Sequence, residues 1–192
     1  MRRGSWGWRT CAVATACFLS FVAPAGAQTT RDARPDRPTV PTPASTPAAA
    51  GFEGHRIDLA KNWEQAQACI VLRQAQIVEC FRTLDQAEAR ATEVMPQYAA
   101  AGYSCSSPLR LFEHSYYGGR QLLFFDRGYW QNLTDYGFND QLSSYIVGAC
   151  YTYLAEHTNG VGAFYPGPGS AWSGVPYLSS GWDNRISSLY MA

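Results

Sequence analysis

Two short polar stretches hold the densest chemistry in this chain of 192 residues: Asn139-Asp140-Gln141-Leu142-Ser143-Ser144 and, 44 positions later, Asp183-Asn184-Arg185-Ile186-Ser187-Ser188. Each reads acid or amide twice, two free positions, then two serines. Each also runs straight into an apolar segment, Tyr145 to Val147 and Leu189 to Met191. One reading is a pair of similar surface turns, since Asn, Asp and Ser form turns for purely local reasons. The other is a repeated, oxygen-rich device for a metal ion, and the repetition of the surrounding sequence favours it.

The remaining constellations are weaker. His114 and His157 each follow a glutamate at equivalent positions, but the pattern His-Glu-x-x-His is absent and repeated hairpin positions explain the pairing. No Gly-x-Ser-x-Gly surrounds any serine, and no Gly-Lys-(Ser/Thr) follows the glycine-rich stretch from Gly160 to Gly169. With no nucleophile in view, the chain is not expected to be an enzyme. The loop from Tyr165 to Gly174 carries aromatic residues at both flanks of a stiff Pro-Gly-Pro-Gly turn. It reads either as a recognition loop for a protease cleft or a sugar ring, or as a long connection with Trp172 tucked onto the fold.

The elements that position these residues begin well into the chain. Arg2, Arg3 and Arg9, an apolar run from Thr10 to Ala23 and the small-residue site Ala25-Gly26-Ala27 predict a secretory signal peptide over residues 1–27. The apolar run is too short to span a membrane, so the mature chain is expected to be secreted, with no membrane attachment after cleavage. Cleavage removes three of fifteen basic residues and none of fifteen acidic ones, leaving about −3. That mild balance, with no basic cluster, argues against nucleic acid and permits cation binding. A monomer is expected.

Residues 28–51, rich in Pro, Thr and Ala, read as an extended linker. In 52–103, Ile70-Val71-Leu72 and Ile77-Val78 flank a turn centred between Gln74 and Ala75, with one further strand at Arg56 to Leu59. Thr83 and Gln86 form a capping box, and Leu84, Ala87, Ala91, Val94 and Met95 recur at helical spacing until Pro96, where the helix is expected to end. This hairpin-helix unit is small enough to need a disulfide or a neighbour.

Four cysteines follow the signal peptide, Cys69, Cys80, Cys105 and Cys150, an even count that reads as two disulfides. Three pairings are open. The hairpin sets Cys69 opposite Cys80 at a separation that suits a disulfide, which leaves Cys105 for Cys150.

Residues 104–192 switch to short runs of Tyr, Phe and Leu punctuated by Gly, Asn and Pro. Strands are expected at Leu109–Glu113, Gln121–Phe125, Ser143–Val147, Tyr151–Glu156, Gly162–Tyr165 and Ser187–Met191. The sequence Leu111-Phe112-Glu113-His114 returns as Leu154-Ala155-Glu156-His157, and the signatures follow these glutamates by 26 and 27 positions. Two tandem units of this size predict an all-β Greek-key sandwich of two motifs, preceded by the α+β hairpin-helix unit.

The repeat resembles the βγ-crystallin Greek-key motif, whose hairpin pattern of two aromatics and a glycine is met by Phe112, Tyr117 and Gly119. In the second unit Ala155 and Gly160 stand where the aromatics belong. Both signatures match (Asn/Asp)-(Asn/Asp)-x-x-(Ser/Thr)-Ser of the microbial calcium-binding members. The run Tyr136-Gly137-Phe138-Asn139-Asp140, with its flanking cysteines, is similar to secreted actinobacterial proteins grouped with the metalloproteinase inhibitors of this fold.

That resemblance implies calcium as the cofactor, and because only a few carboxylates can reach each ion, a dissociation constant on the order of 10⁻⁵ to 10⁻³ M is expected. The implied ligands are the carbonyls of Gln141 and Arg185, the hydroxyls of Ser143 and Ser187, the side chains of Asp140 and Asn184, and Glu113 and Glu156 from the hairpins. The Arg185 guanidinium would weaken its own site. The implied partner is an extracellular metalloproteinase, which the chain would inhibit. A non-inhibitory extracellular or stress-related module and a killer-toxin-like antimicrobial protein are the alternatives.

Overall fold

The computed structural model describes residues 48–99 and 102–192. The signal peptide and most of the linker lie outside the described residues. In chain order the elements are β1 (Ala49–Phe52), β2 (His55–Asp58), β3 (Ala68–Leu72), β4 (Ile77–Phe81), α1 (Leu84–Ala99), β5 (Ser104–His114), β6 (Gly118–Asp126), β7 (Trp130–Asn132), β8 (Ser144–Ile146), β9 (Thr152–Ala155), β10 (Gly174–Val175) and β11 (Ser188–Met191).

They form two sheets, β10-β8-β5-β6-β3-β4-β1-β2 and β7-β11-β9. The first repeat supplies β5 to β8 and the second β9 to β11. Each repeat sends its last strand but one to the other's sheet: β7 pairs with β11, and β10 pairs with β8. This exchange is the double Greek key, and it closes one core between the sheets around Leu109, Leu122, Phe124, Tyr145, Ile186 and Leu189.

The hairpin-helix unit is not a separate layer. β3 adds to the free edge of β6 in parallel, Ala68 opposite Gln121 through Val71 opposite Phe124. Both strands are therefore covered on both faces, which explains their unbroken apolar runs. Cys69, Val71, Leu122 and Phe124 face the sandwich, whereas Ala68, Ile70, Leu123 and Phe125 lie under α1 against Ala87, Ala91 and Val94. The boundary drawn at Gly51 falls inside β1, and the one drawn after Tyr103 divides strands of a single sheet.

The hairpin has the expected register. Cys69 pairs with Cys80 and Leu72 with Ile77, and the disulfide joins the first pair with 4.0 Å between Cα atoms. Cys105 is bonded to Cys150. The turn at Arg73–Ala75 is pinned to the first Greek key by buried carboxylates: the Gln74 amide and the Tyr129 hydroxyl donate to Asp126 at 3.0 and 2.8 Å, and Arg73 meets Asp135 at 3.3 Å. Burial pushes the Asp126 and Asp135 carboxyls above the usual carboxylate range.

Three local expectations are corrected. The helix does not stop at Pro96 but runs through it to Ala99. A proline in the last turn removes one amide bond, while Met95 and Tyr98 still pack on the cluster beneath. The strand expected at Gly162–Tyr165 is reduced to a single bridge, Phe164 to Ala155, because Pro166 follows with no amide to extend the ladder. Trp172 is not tucked in. Its amide is held by the Gly148 carbonyl at 2.9 Å, yet its side chain is 73% exposed.

Candidate metal centre

The strand exchange places the two signatures side by side. The Asp140 amide donates to the Ile186 carbonyl and the Asn184 amide to the Leu142 carbonyl, both at 3.1 Å. The Ser143 amide donates to Phe112 at 3.1 Å and the Ser187 amide to the equivalent Ala155 at 3.0 Å. Asp140 and Asn184, the second residue of each signature, take left-handed conformations with φ of 53° and 56°. Asn and Asp enter that region more readily than other side-chain-bearing residues, so the turn itself selects these types.

The two centres differ in what they bring together. At the first, the Ser187 hydroxyl donates to Asp140 Oδ1 at 3.0 Å, and Asn139 Nδ2 donates to Asp140 Oδ2 at 2.7 Å. Asn139 Oδ1 is buried with no hydrogen-bond partner. At the second, Asn184 and Ser143 are joined through the neighbouring backbone pair, and Asp183 is exposed.

The serines at the sixth position of each signature, Ser144 and Ser188, close the hairpins. The Ser144 hydroxyl donates to His114 O at 2.6 Å and accepts from the Tyr117 amide at 3.0 Å. Ser188 does the same with His157 O at 2.6 Å and the Gly160 amide at 3.0 Å. Both serines are fully buried. Their identity thus follows from hairpin closure, a need that only the folded geometry reveals.

The hairpin glutamates are held by arginines. Glu113 accepts from Arg120 Nε at 3.0 Å, from its Nη2 at 2.8 Å and from its amide at 3.1 Å, and the same guanidinium bonds Gln141 Oε1. It stacks 4.9 Å from the Trp63 ring. In the second unit Glu156 accepts from the Ala163 amide at 3.1 Å and from Arg185 Nε at 2.9 Å, and Arg185 lies 5.2 Å from the Trp182 ring. The Arg120 bonds hold the Glu113 carboxyl below its ordinary range, and the Arg185 bonds do so for Glu156. Nothing in the local sequence marked Arg120, whose role arises from the seven-residue return of the hairpin.

A cavity of about 540 Å³ opens beside the first centre, lined by Lys61, Trp63, Arg120, Asn139 and Gln141 among others. Its far wall is the loop after β2, docked by the Trp63 indole donating to Tyr136 O at 2.7 Å. Gly137 makes the close approach possible: φ is +59°, and a Cβ there would stand 2.3 Å from Leu59 O.

Tested as calcium ligands, the first centre fits in kind. The Asp140 carboxylate and the Ser187 hydroxyl meet there, and the orphaned Oδ1 of the adjacent Asn139 is an acceptor lacking a donor. The second centre is poorer, since the neutral Asn184 stands where the first has Asp140 and its one acidic member, Asp183, is exposed. Among the described residues no three His, Cys, Asp or Glu cluster together. Hydroxyl, amide and main-chain oxygen would therefore have to supply much of any coordination here.

No family model matches the chain, and no curated protein matches it. Solved structures do. The chain is similar to a beta gamma crystallin from Ciona intestinalis, with 25% identity over 44% of this chain and 98% of that one and a TM-score of 0.37. It is similar to a betagamma-crystallin domain from Clostridium beijerinckii, with 17% identity over 44% and 95% and a TM-score of 0.36. A betagamma-crystallin domain from Flavobacterium johnsoniae shows 21% identity over 44% and 92%, with a TM-score of 0.35. The assignment of a double Greek key to this chain stands on its own strand exchange.

Proposed function

We propose that the chain is an exported binding module whose paired Greek keys are steadied by calcium held between the two signatures. Asp140, Ser187, Asn139 and the Gln141 carbonyl would hold the ion at the first centre. Asn184, Ser143 and the Arg185 carbonyl would form a weaker second. When bound, the ion supplies positive charge to oxygens that come from opposite repeats.

The observation that carries this reading is the 3.0 Å contact of Ser187 with Asp140 beside the unpartnered Asn139 Oδ1. Two disulfides fit the oxidising compartment that export implies. Calcium that binds only the folded state adds about 2.7 kcal/mol at a hundredfold excess over its dissociation constant. The melting temperature should therefore rise with millimolar calcium and fall with chelator. An unchanged melting curve would end the calcium reading.

The partner we propose, on resemblance, is an extracellular metalloproteinase. Purified protein at micromolar concentration should inhibit a thermolysin-like enzyme. No inhibition would leave a calcium-steadied binding module without this target.

A further inference from the structure

The hairpin tip between β5 and β6 converges with the segment after β10 at the edge of the large sheet. The Tyr116 amide donates to the Pro176 carbonyl at 2.6 Å, and the Tyr116 and Tyr177 rings lie 6.3 Å apart at 43°. Their side chains are nonetheless open to solvent, at 75% and 58% exposure.

The second repeat shows what this tip requires for folding alone. His114-Ser115-Tyr116-Tyr117 aligns with His157-Thr158-Asn159-Gly160, and the last two residues of each are left-handed: φ is 58° and 65° at the tyrosines, 58° and 70° at Asn159 and Gly160. Asn and Gly take that conformation readily, whereas tyrosine is disfavoured there. Tyr117 recovers the cost by packing edge-on against Phe112, with 5.3 Å between centroids. Tyr116 stays three-quarters exposed, so local strain is kept at a position where packing returns little.

The surroundings define what fits. Residues 114–119 and 172–181 contain no Asp, Glu, Lys or Arg, and they are rich in Ser, Gly and aromatic residues. These segments suit an uncharged partner that offers apolar faces to the two tyrosine rings and hydrogen-bonding groups to the phenol and serine hydroxyls. A sugar ring has that character, with C–H faces and a hydroxyl rim. β10 has only two residues, which is too short to template strand addition by a protein partner.

We propose that Tyr116 and Tyr177 form a stacking platform for a neutral polysaccharide, with the exposed Trp172 at the other end of β10 as a further contact. The platform shares no residue with the calcium centre, so failure of the calcium reading leaves it standing.

Affinity electrophoresis of the full chain through gels containing laminarin, hydroxyethyl cellulose or glycol chitin tests it. The protein should be retarded in at least one gel. Tyr116→Asn, which copies the second repeat, should weaken that retardation about tenfold, as loss of one stacked ring implies, while the melting temperature holds or rises. Tyr177→Ala should weaken it independently. No retardation in any gel, or retardation undiminished in both variants, overturns the proposal. So does sedimentation showing that the variants convert a dimer to a monomer, which would make a second copy the occupant.

Discussion

The Ser187 hydroxyl donates to the Asp140 carboxylate at 3.0 Å although 47 positions of sequence separate them. The contact spans the two repeats, so it exists only once β7 and β10 have crossed to the other repeat's sheet. It should report on both calcium binding and closure of the sandwich. Ser187→Ala should cost about 1 kcal/mol without calcium, the usual worth of one hydrogen bond, as read by urea denaturation. Asp140→Asn keeps the left-handed preference but removes the charge, and should lower calcium affinity about tenfold or more by titration calorimetry. Equal calcium affinity in both variants and the parent would remove the first centre from these residues.

Arg185 would act on the proposed second calcium centre in two opposed ways. Its carbonyl is a candidate ligand, while its guanidinium engages Glu156 and brings positive charge close by. Arg185→Gln retains the carbonyl and frees the carboxylate. Calcium affinity should rise roughly three- to tenfold, with little change in stability before calcium is added. An affinity that stays the same would mean that the guanidinium does not compete with the ion.

The continuity of the large sheet predicts that the Greek keys do not stand well alone. A chain starting at Ser104 would bare the edge of β6 and uncover Leu123 and Phe125, both buried beneath α1. The expected loss is at least about 3 kcal/mol from these two side chains, with aggregation through the open edge. A soluble fragment melting at the temperature of the whole chain would show that the two parts are independent.

Asp126 predicts a pH signature. Burial raises its carboxyl in the folded state, so folding takes up a proton between the ordinary carboxylate value and that raised one. The stability tied to this group is fully present at low pH and is lost as pH rises through the folded value. Asp126→Asn does not titrate. Relative to the parent it should therefore gain stability as pH rises across that window, as measured by urea midpoints from pH 4 to pH 7. A pH-independent difference would show that Asp126 is not the titrating group.

How far the sequence could be read depended on how local each feature is. The Cys69–Cys80 hairpin was legible because two apolar runs, a turn and two cysteines share one centre of symmetry within twelve residues. Helix α1 was legible in its start, where the Gln86 amide bonds Thr83 Oγ1 at 3.3 Å. Its end was not, because packing of Tyr98 overrode the proline. β1 was hidden in a segment poor in large apolar residues, since its partners are β2 and β4 rather than anything its own composition announces. β7 and β10 are two or three residues long and owe their extended form to the opposite repeat.

The candidate centre divides along the same line. The sequence by itself determined the residue types, their repetition and the double Greek-key class, because alternation, turn chemistry and spacing act over a few residues at a time. Only the tertiary structure decided that Asp140 meets Ser187, that Ser144 and Ser188 close hairpins, and that Arg120 and Arg185 take the glutamates. It also decided that β3 joins β6. Each of these is a pairing between distant segments, and such pairings are fixed by strand exchange, edge completion and charge neutralisation in the packed fold, none of which has a local signature in the chain.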